Sequence, residues 1–164
     1  MSQSHETHWL SPSLTLGVRR KHRIQTMIEH SIVEHSQAAG APQPIAPFSH
    51  ATRWGDLICL TGQMPIIPDS GEVVRGSFSA QTHQVMQNLA RVLEAGGSDW
   101  NHVLQARLYL TDFAKYEEVN AAYQSYFEVG KLPARTCIGV TALALGCDVE
   151  IDLLAVRINK GETT

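Results

Sequence analysis

Near its C-terminus the chain carries the run CDVEIDLLAV, Cys147 to Val156, an apolar strand-like run with a glutamate buried inside it. Alternation puts Asp148, Glu150 and Asp152 on one face and Val149, Ile151 and Leu153 on the other. A second apolar run, PARTCIGV from Pro133 to Val140, precedes it across a short Thr/Ala/Leu/Gly connector, and the two read as a closing β-hairpin. Arg135 and Glu150 are the costly residues here, because a buried charge loses several kcal/mol unless it is paired or used. They are the first candidates for a site, and a salt bridge from Arg135 to Glu150 or Asp152 is the structural alternative.

Upstream, a short strand is predicted through Ile32 and Val33, followed by a loop with Pro42, Pro44 and Pro47. Residues 50–54 and 57–61 are strand-like around the turn dipeptide Gly55-Asp56. Thr82, Val85, Met86, Leu89, Val92 and Leu93 recur at helical spacing up to Gly96-Gly97, with Gln, Asn and Arg on the other face. Residues 103–111 form a strand with Leu104, Ala106, Leu108 and Leu110 on one face, and Asp112 can cap a helix after it. This second helix carries Tyr116, Val119, Asn120, Tyr123 and Phe127 and stops at Gly130 and Pro133. The order predicts an α+β fold with a mostly antiparallel six-stranded sheet and two helices on one face. The other face still needs a cover, since Leu57 and Cys59 are apolar as well as Ile58 and Leu60. The expectation is a homo-oligomer whose sheets pack together and whose clefts between subunits hold the site.

Composition removes several classes. A net charge of −3 offers no positive field for a phosphate backbone, so nucleic acid is a poor partner. No apolar run approaches the roughly 20 residues that cross a bilayer, so no membrane partner is expected. Cys59, Cys137 and Cys147 form no CxxC pair and suit a reducing cytoplasm. The eight histidines lack zinc-site spacing, as His30 and His35 illustrate, and no metal is expected. Residues 1–26 place the basic cluster Arg19 to Arg23 after a weakly apolar stretch, the wrong order for a secretory signal, and read as a disordered extension. Residues 27–158 then form one domain, and 159–164 a polar tail.

The segments IAPFSHAT, LTGQMPI, SGEVV, LEAGGSDWNHV, VNAAYQSYF, PARTCIGV and VEIDLLAV resemble, in order and spacing, the reactive intermediate deaminase family, also called YjgF or RidA. The resemblance runs from about Ile32 to Arg157 with no long insertion. It implies a chorismate-mutase-like fold, a homotrimer with three intersubunit clefts, and hydrolysis of small enamine or imine acids to 2-oxo acids and ammonia without a cofactor. Arg135 matches the arginine that holds the substrate carboxylate, a role suited to the rigid, permanently charged guanidinium fork. Among the three carboxylates the resemblance selects Glu150 to orient water, and a nearby Arg135 would favour its ionised form. Thr61 and Gly62 match residues that present backbone groups to the bound acid, and Asn120 matches an asparagine beside the cleft. Cys137 shares the strand face of Arg135 and could line the pocket, although it reads more simply as a small buried hydrophobe.

Two departures bear on the substrate. Phe48 stands where many active members carry a tyrosine, and Ala142-Leu143-Ala144-Leu145 replaces a Leu-Pro-Lys-type turn. They leave open an aminomuconate-type ring-cleavage deaminase. A rival of another kind is a ligand-binding or chaperone-like protein without turnover.

Overall fold

A computed structural model of the chain describes residues 33–158. The expected extension over residues 1–26, a domain start at Met27, strand residue Ile32 and the tail over 159–164 lie outside the described residues. Six strands form one sheet: β1 (Glu34–Ser36), β2 (Ala51–Trp54), β3 (Leu57–Gln63), β4 (Val103–Leu110), β5 (Ala134–Gly139) and β6 (Val149–Val156). Helix α1 (Phe78–Gly96) connects β3 to β4, and α2 (Tyr116–Gln124) lies between β4 and β5. The spatial order is β1-β2-β3-β6-β4-β5. Neighbours are antiparallel except β4 and β5, which are parallel.

This order corrects the closing hairpin. β6 pairs with β3 and β4, and β5 lies beyond β4 at the sheet edge. The reason is burial: Val149, Ile151, Leu153 and Ala155 of β6 are at most 2% exposed, whereas β5 is largely exposed and suits an edge. A connection through α2 lets β5 return parallel to β4, as parallel strands require. The first strand also begins later than expected, at Glu34, with Val33 outside it. In β4 a register shift between Val103 and Gln105 buries Val103 and exposes Leu104, so Leu104 leaves the face assigned to it by alternation.

α1 starts at Ser77, whose side chain accepts from the Ala80 N–H, and stops at Gly97 in the left-handed region, where the Ser98 N–H reaches the Leu93 carbonyl. Its apolar stripe packs with Ile58, Leu60, Leu108, Ile151 and Leu153 in the main core. The polar residues Gln81 and Asn88, expected on its other face, are buried instead. They follow the spacing 81, 85, 88, 92 and therefore lie on the apolar face with Val85 and Val92. Asn88 donates to the carbonyls of Met64 (3.0 Å) and Ile66 (2.8 Å), fixing the chain after β3. Gln81 exchanges two 2.8 Å bonds with the side chain and backbone N–H of Asp148, fixing the entry to β6. Asp148 therefore leaves the face it was expected to share with Glu150 and Asp152. α2 is shorter than its stripe, ending before Phe127, and it follows a short 3₁₀ turn that Asp112 caps. Glu118 in its first turn accepts from the Ser79 N–H at 2.9 Å, joining the two helices near their N-termini.

Hydrogen bonds from Gln81 and then Thr111 hold the Asp148 carboxyl below the ordinary aspartate range. A depressed folded-state pKa contributes stability that is fully present above the unfolded-state value and is lost as pH falls through the folded one. The stability difference between wild type and Asp148→Asn in urea titrations is therefore expected to be full near neutrality and to shrink steadily below about pH 4. A difference that stays constant into that range would show that the ionised carboxylate contributes nothing.

Candidate functional site

The sheet presents two separate groups of side chains. The first surrounds Arg135 on β5, on the side that carries α2. Its Nη1 donates to Asn120 Oδ1 at 2.7 Å and its Nη2 to the Tyr116 hydroxyl at 2.7 Å. The guanidinium carbon lies 5.4 Å from the Tyr116 ring centre and 5.2 Å from that of Tyr123, so two aromatic faces and two acceptors hold it. Phe113 stacks on the far side of the arrangement, 5.1 Å from Tyr116 at 15°. Of five guanidinium N–H groups two are committed, which leaves three, enough for a two-point contact with a carboxylate. A cavity of about 340 Å³ opens against Arg135, Asn120 and Tyr123. Asn120 comes to Arg135 because it projects from α2 toward β5.

Cys137 follows two residues later and packs against the core. Burial pushes its thiol up, with Arg135 pulling the other way, so it is not a ready thiolate.

The second group lies on the opposite face, at a bulge in β3. Leu60 pairs with Leu153 and Gln63 with Ile151, so Thr61 and Gly62 fall in an irregular stretch opposite the middle of β6. The Thr61 N–H donates to the His50 carbonyl at 3.0 Å. Glu150 lies directly against Gly62: a methyl group there would sit 2.0 Å from Glu150 Oε1 and 2.9 Å from Cδ. Only glycine permits that approach. Glu150 is half-buried and has no hydrogen-bond partner among the described residues, whereas Asp152 is tied to Arg107 Nε at 2.8 Å and to the Tyr109 hydroxyl at 3.1 Å. Phe48 reaches the same bulge, lining a small recess with Gly62 and Met64. Its loop is closed by buried His50, whose Nδ1 accepts from the Ala38 N–H at 2.9 Å and whose Nε2 then donates to the Pro42 carbonyl at 2.7 Å.

Arg135 and Glu150 therefore do not meet within one chain, which corrects both the nearby pairing and the alternative salt bridge. Arg135 sits on edge strand β5 with its side chain toward α2, and Glu150 projects from the other face of β6 with β4 between them. Burial, and then the like charge of Asp152, raises the Glu150 carboxyl above the ordinary glutamate range, the opposite of what a neighbouring arginine would do. Among the described residues no three His, Cys, Asp or Glu side chains group as metal ligands, and no helix is long and apolar enough to cross a membrane. A cavity of about 540 Å³ between β1 and the end of α1 shares no residue with either group.

Sequence reasoning missed Tyr116 and Tyr123 as partners of Arg135, reading both as core stripe. Their seven-residue spacing on α2, with Asn120 between them, places all three on one helix face and is the signal that was available.

A mostly antiparallel six-stranded sheet with two helices on one face and its charged groups divided between the faces defines an α+β protein of the YjgF type. A family model described as Endoribonuclease L-PSP matches residues 38–157, and the chain belongs to that family, the YjgF/RidA proteins. It is 41% identical over 117 residues to Protein HMF1 of Saccharomyces cerevisiae, covering 71% of this chain and 89% of that protein. It is 38% identical over 117 residues to the 2-iminobutanoate/2-iminopropanoate deaminase of Mus musculus, covering 71% of this chain and 86% of that one. The crystal structure of the YjgF gene product of E. coli superposes with a TM-score of 0.72 at 28% identity, over 76% of this chain and 99% of that one.

Gly62→Ala is expected to keep the fold, because its surroundings can yield through the Glu150 side chain, and to lower turnover by displacing that carboxylate. Circular dichroism and single-turnover rates would separate the two effects, and unchanged turnover would sever the link between the bulge and the chemistry. Since Glu150 keeps its proton to a higher pH than an ordinary glutamate, a base at this position is lost on acidification earlier than usual. Asp152→Asn is expected to move the acid limb of the pH–rate profile downward by removing a like charge, and an unmoved limb would show that Asp152 does not act on Glu150.

Proposed function

We propose that this chain hydrolyses reactive 2-imino acids, and their enamine tautomers, to 2-oxo acids and ammonia in a cleft that two copies of the chain complete, within a homotrimer. The observation that carries this reading is the division of the groups: a donor array preset for a carboxylate at one edge, and an unpaired carboxylate against a glycine bulge on the other face. Neither can reach the other in one chain, and packing one copy's edge against the next copy's bulge supplies both to one ligand. The name of the mouse relative supports the same substrate class.

In this reading Arg135 takes the substrate carboxylate through its free N–H groups, with Asn120 and Tyr116 setting its orientation. Thr61 and Gly62 present backbone at the bulge, Phe48 and Cys137 line the pocket, and Glu150 takes a proton from water as its oxygen bonds to the imine carbon. Proton transfer to nitrogen and breakage of the C–N bond then release ammonia and leave the 2-oxo acid. An enamine first gains a proton at carbon. The family description names RNA cleavage, but a net charge of −3 gives no field for a phosphate backbone.

Arg135→Ala is expected to weaken binding of a 2-oxo acid product about ten- to hundredfold, the worth of one charged hydrogen-bonding contact. Glu150→Gln should keep that binding and lower turnover about 10²–10⁴-fold. Light scattering is expected to give three times the mass of the chain. A monomer that turns over freshly generated 2-iminobutanoate at full rate would overturn the shared cleft, and full turnover by an intact Glu150→Gln trimer would overturn the role of that carboxylate.

A further inference from the structure

We propose that the cavity beside Arg135 receives the side chain of the substrate and selects 2-imino acids whose side chain ends in a positive charge, with Glu117 as the residue that recognises it. This rests on the reading of Arg135 as the holder of the carboxylate and adds to it the chemical class of the substrate's other end.

Glu117, Asn120 and Gln124 stand three and then four residues apart on α2, so they share one helix face, and all three line the cavity of about 340 Å³. Arg135 lines it as well and is tied to Asn120 at 2.7 Å, so Glu117 stands one helical turn from the residue that orients the guanidinium. The two charges face one cavity without pairing, and neither belongs to an ion pair among the described residues. Among the same residues the Glu117 carboxylate has no hydrogen bond either. Its neighbour Glu118 differs, because it is used within the fold to accept from the Ser79 N–H at 2.9 Å. The charge of Glu117 is thus left available to a ligand.

The cavity's volume lies within the roughly 300–1,000 Å³ typical of small-molecule sites, more than a lone carboxylate needs. A ligand anchored at Arg135 has room to extend. Leu132 and Pro133 give the cavity an apolar wall that suits a stem of methylene groups. A cation at the end of that stem gains an ion pair with Glu117, whereas a second carboxylate meets a like charge. An uncharged end gains neither and is held by the apolar wall alone. Guanidinium anchor, apolar wall and free carboxylate together define a side chain with an apolar stem and a cationic end.

The test measures calorimetric binding of three 2-oxo acids to the full chain at low salt. They are 5-(trimethylammonio)-2-oxopentanoate, whose permanent charge cannot close a ring onto the ketone, its uncharged isostere 6,6-dimethyl-2-oxoheptanoate, and the diacid 2-oxoadipate. Wild type is expected to bind the cationic acid most tightly and the diacid least. Glu117→Gln should weaken the cationic acid about two- to fivefold, the worth of a partly exposed ion pair, strengthen the diacid by a similar factor, and leave the isostere unchanged. Glu117→Asp should keep the order of the three, and salt at about 0.5 M should shrink the differences among them. Arg135→Ala should weaken all three. A Glu117 that serves only the N-terminus of α2 would instead lower the melting temperature on substitution and change the three affinities alike. If Glu117→Gln moves all three equally, or none, the cationic selection is wrong while the loss in Arg135→Ala still upholds the carboxylate holder. If Arg135→Ala binds all three as wild type does, both readings fall.

Discussion

The position of β6 between β3 and β4 determines most of what this molecule can do. Its inward residues Val149, Ile151, Leu153 and Ala155 are almost solvent-free against α1, so the strand cannot sit at an edge without losing that burial. With β6 in the middle, β5 is displaced to the far side of β4. Glu150 then stands near the centre of the helix-free face, beside the β3 bulge, while Arg135 stands at the rim on the other face. The separation of the two charges is a consequence of the burial pattern of one strand.

Each group has a local device that lets it exist. Arg135 needs compensation for its partial burial, and it obtains this from two neutral acceptors and two aromatic faces instead of a carboxylate partner. A carboxylate partner would have satisfied the charge within the fold. Neutral partners leave the positive charge unbalanced and therefore attractive to an anion. Glu150 shows the complementary arrangement: Arg107 and Tyr109 are taken by Asp152, and the bulge at Gly62 gives the free carboxylate room where any side chain would collide with it.

Much of this was legible in the sequence, for definable reasons. The β2–β3 hairpin follows from Gly55-Asp56 between alternating runs, and α1 from its periodic apolar stripe and Gly96-Gly97 stop. Sheet order was not legible, because two adjacent strand-like runs with a short connector look like a hairpin whether or not they pair, and only the comparison of their burial separates the cases. Alternation failed at Leu104 for a similar reason: a bulge shifts the phase without any mark in composition. Arg135 and Glu150 stood out as costly charges, yet their distance depended on that unreadable order. Gln81 and Asn88 were hidden by the habit of assigning amides to solvent, although their spacing put them on the apolar face, where they fasten the segments that flank Gly62 and Glu150.

The helix-free face adds a constraint of its own. Leu57, Leu104 and Ile138 are between 39% and 46% exposed on a sheet whose opposite face already carries both helices. Within the chain nothing described covers that face, and β5 leaves one strand edge unpaired beyond it. The same uncovered face carries Glu150 and the bulge, and the same edge strand carries Arg135. An association that buried the apolar residues would act on the surface where the divided charges lie, so the exposed apolar residues and the site of the proposed reading fall on one surface.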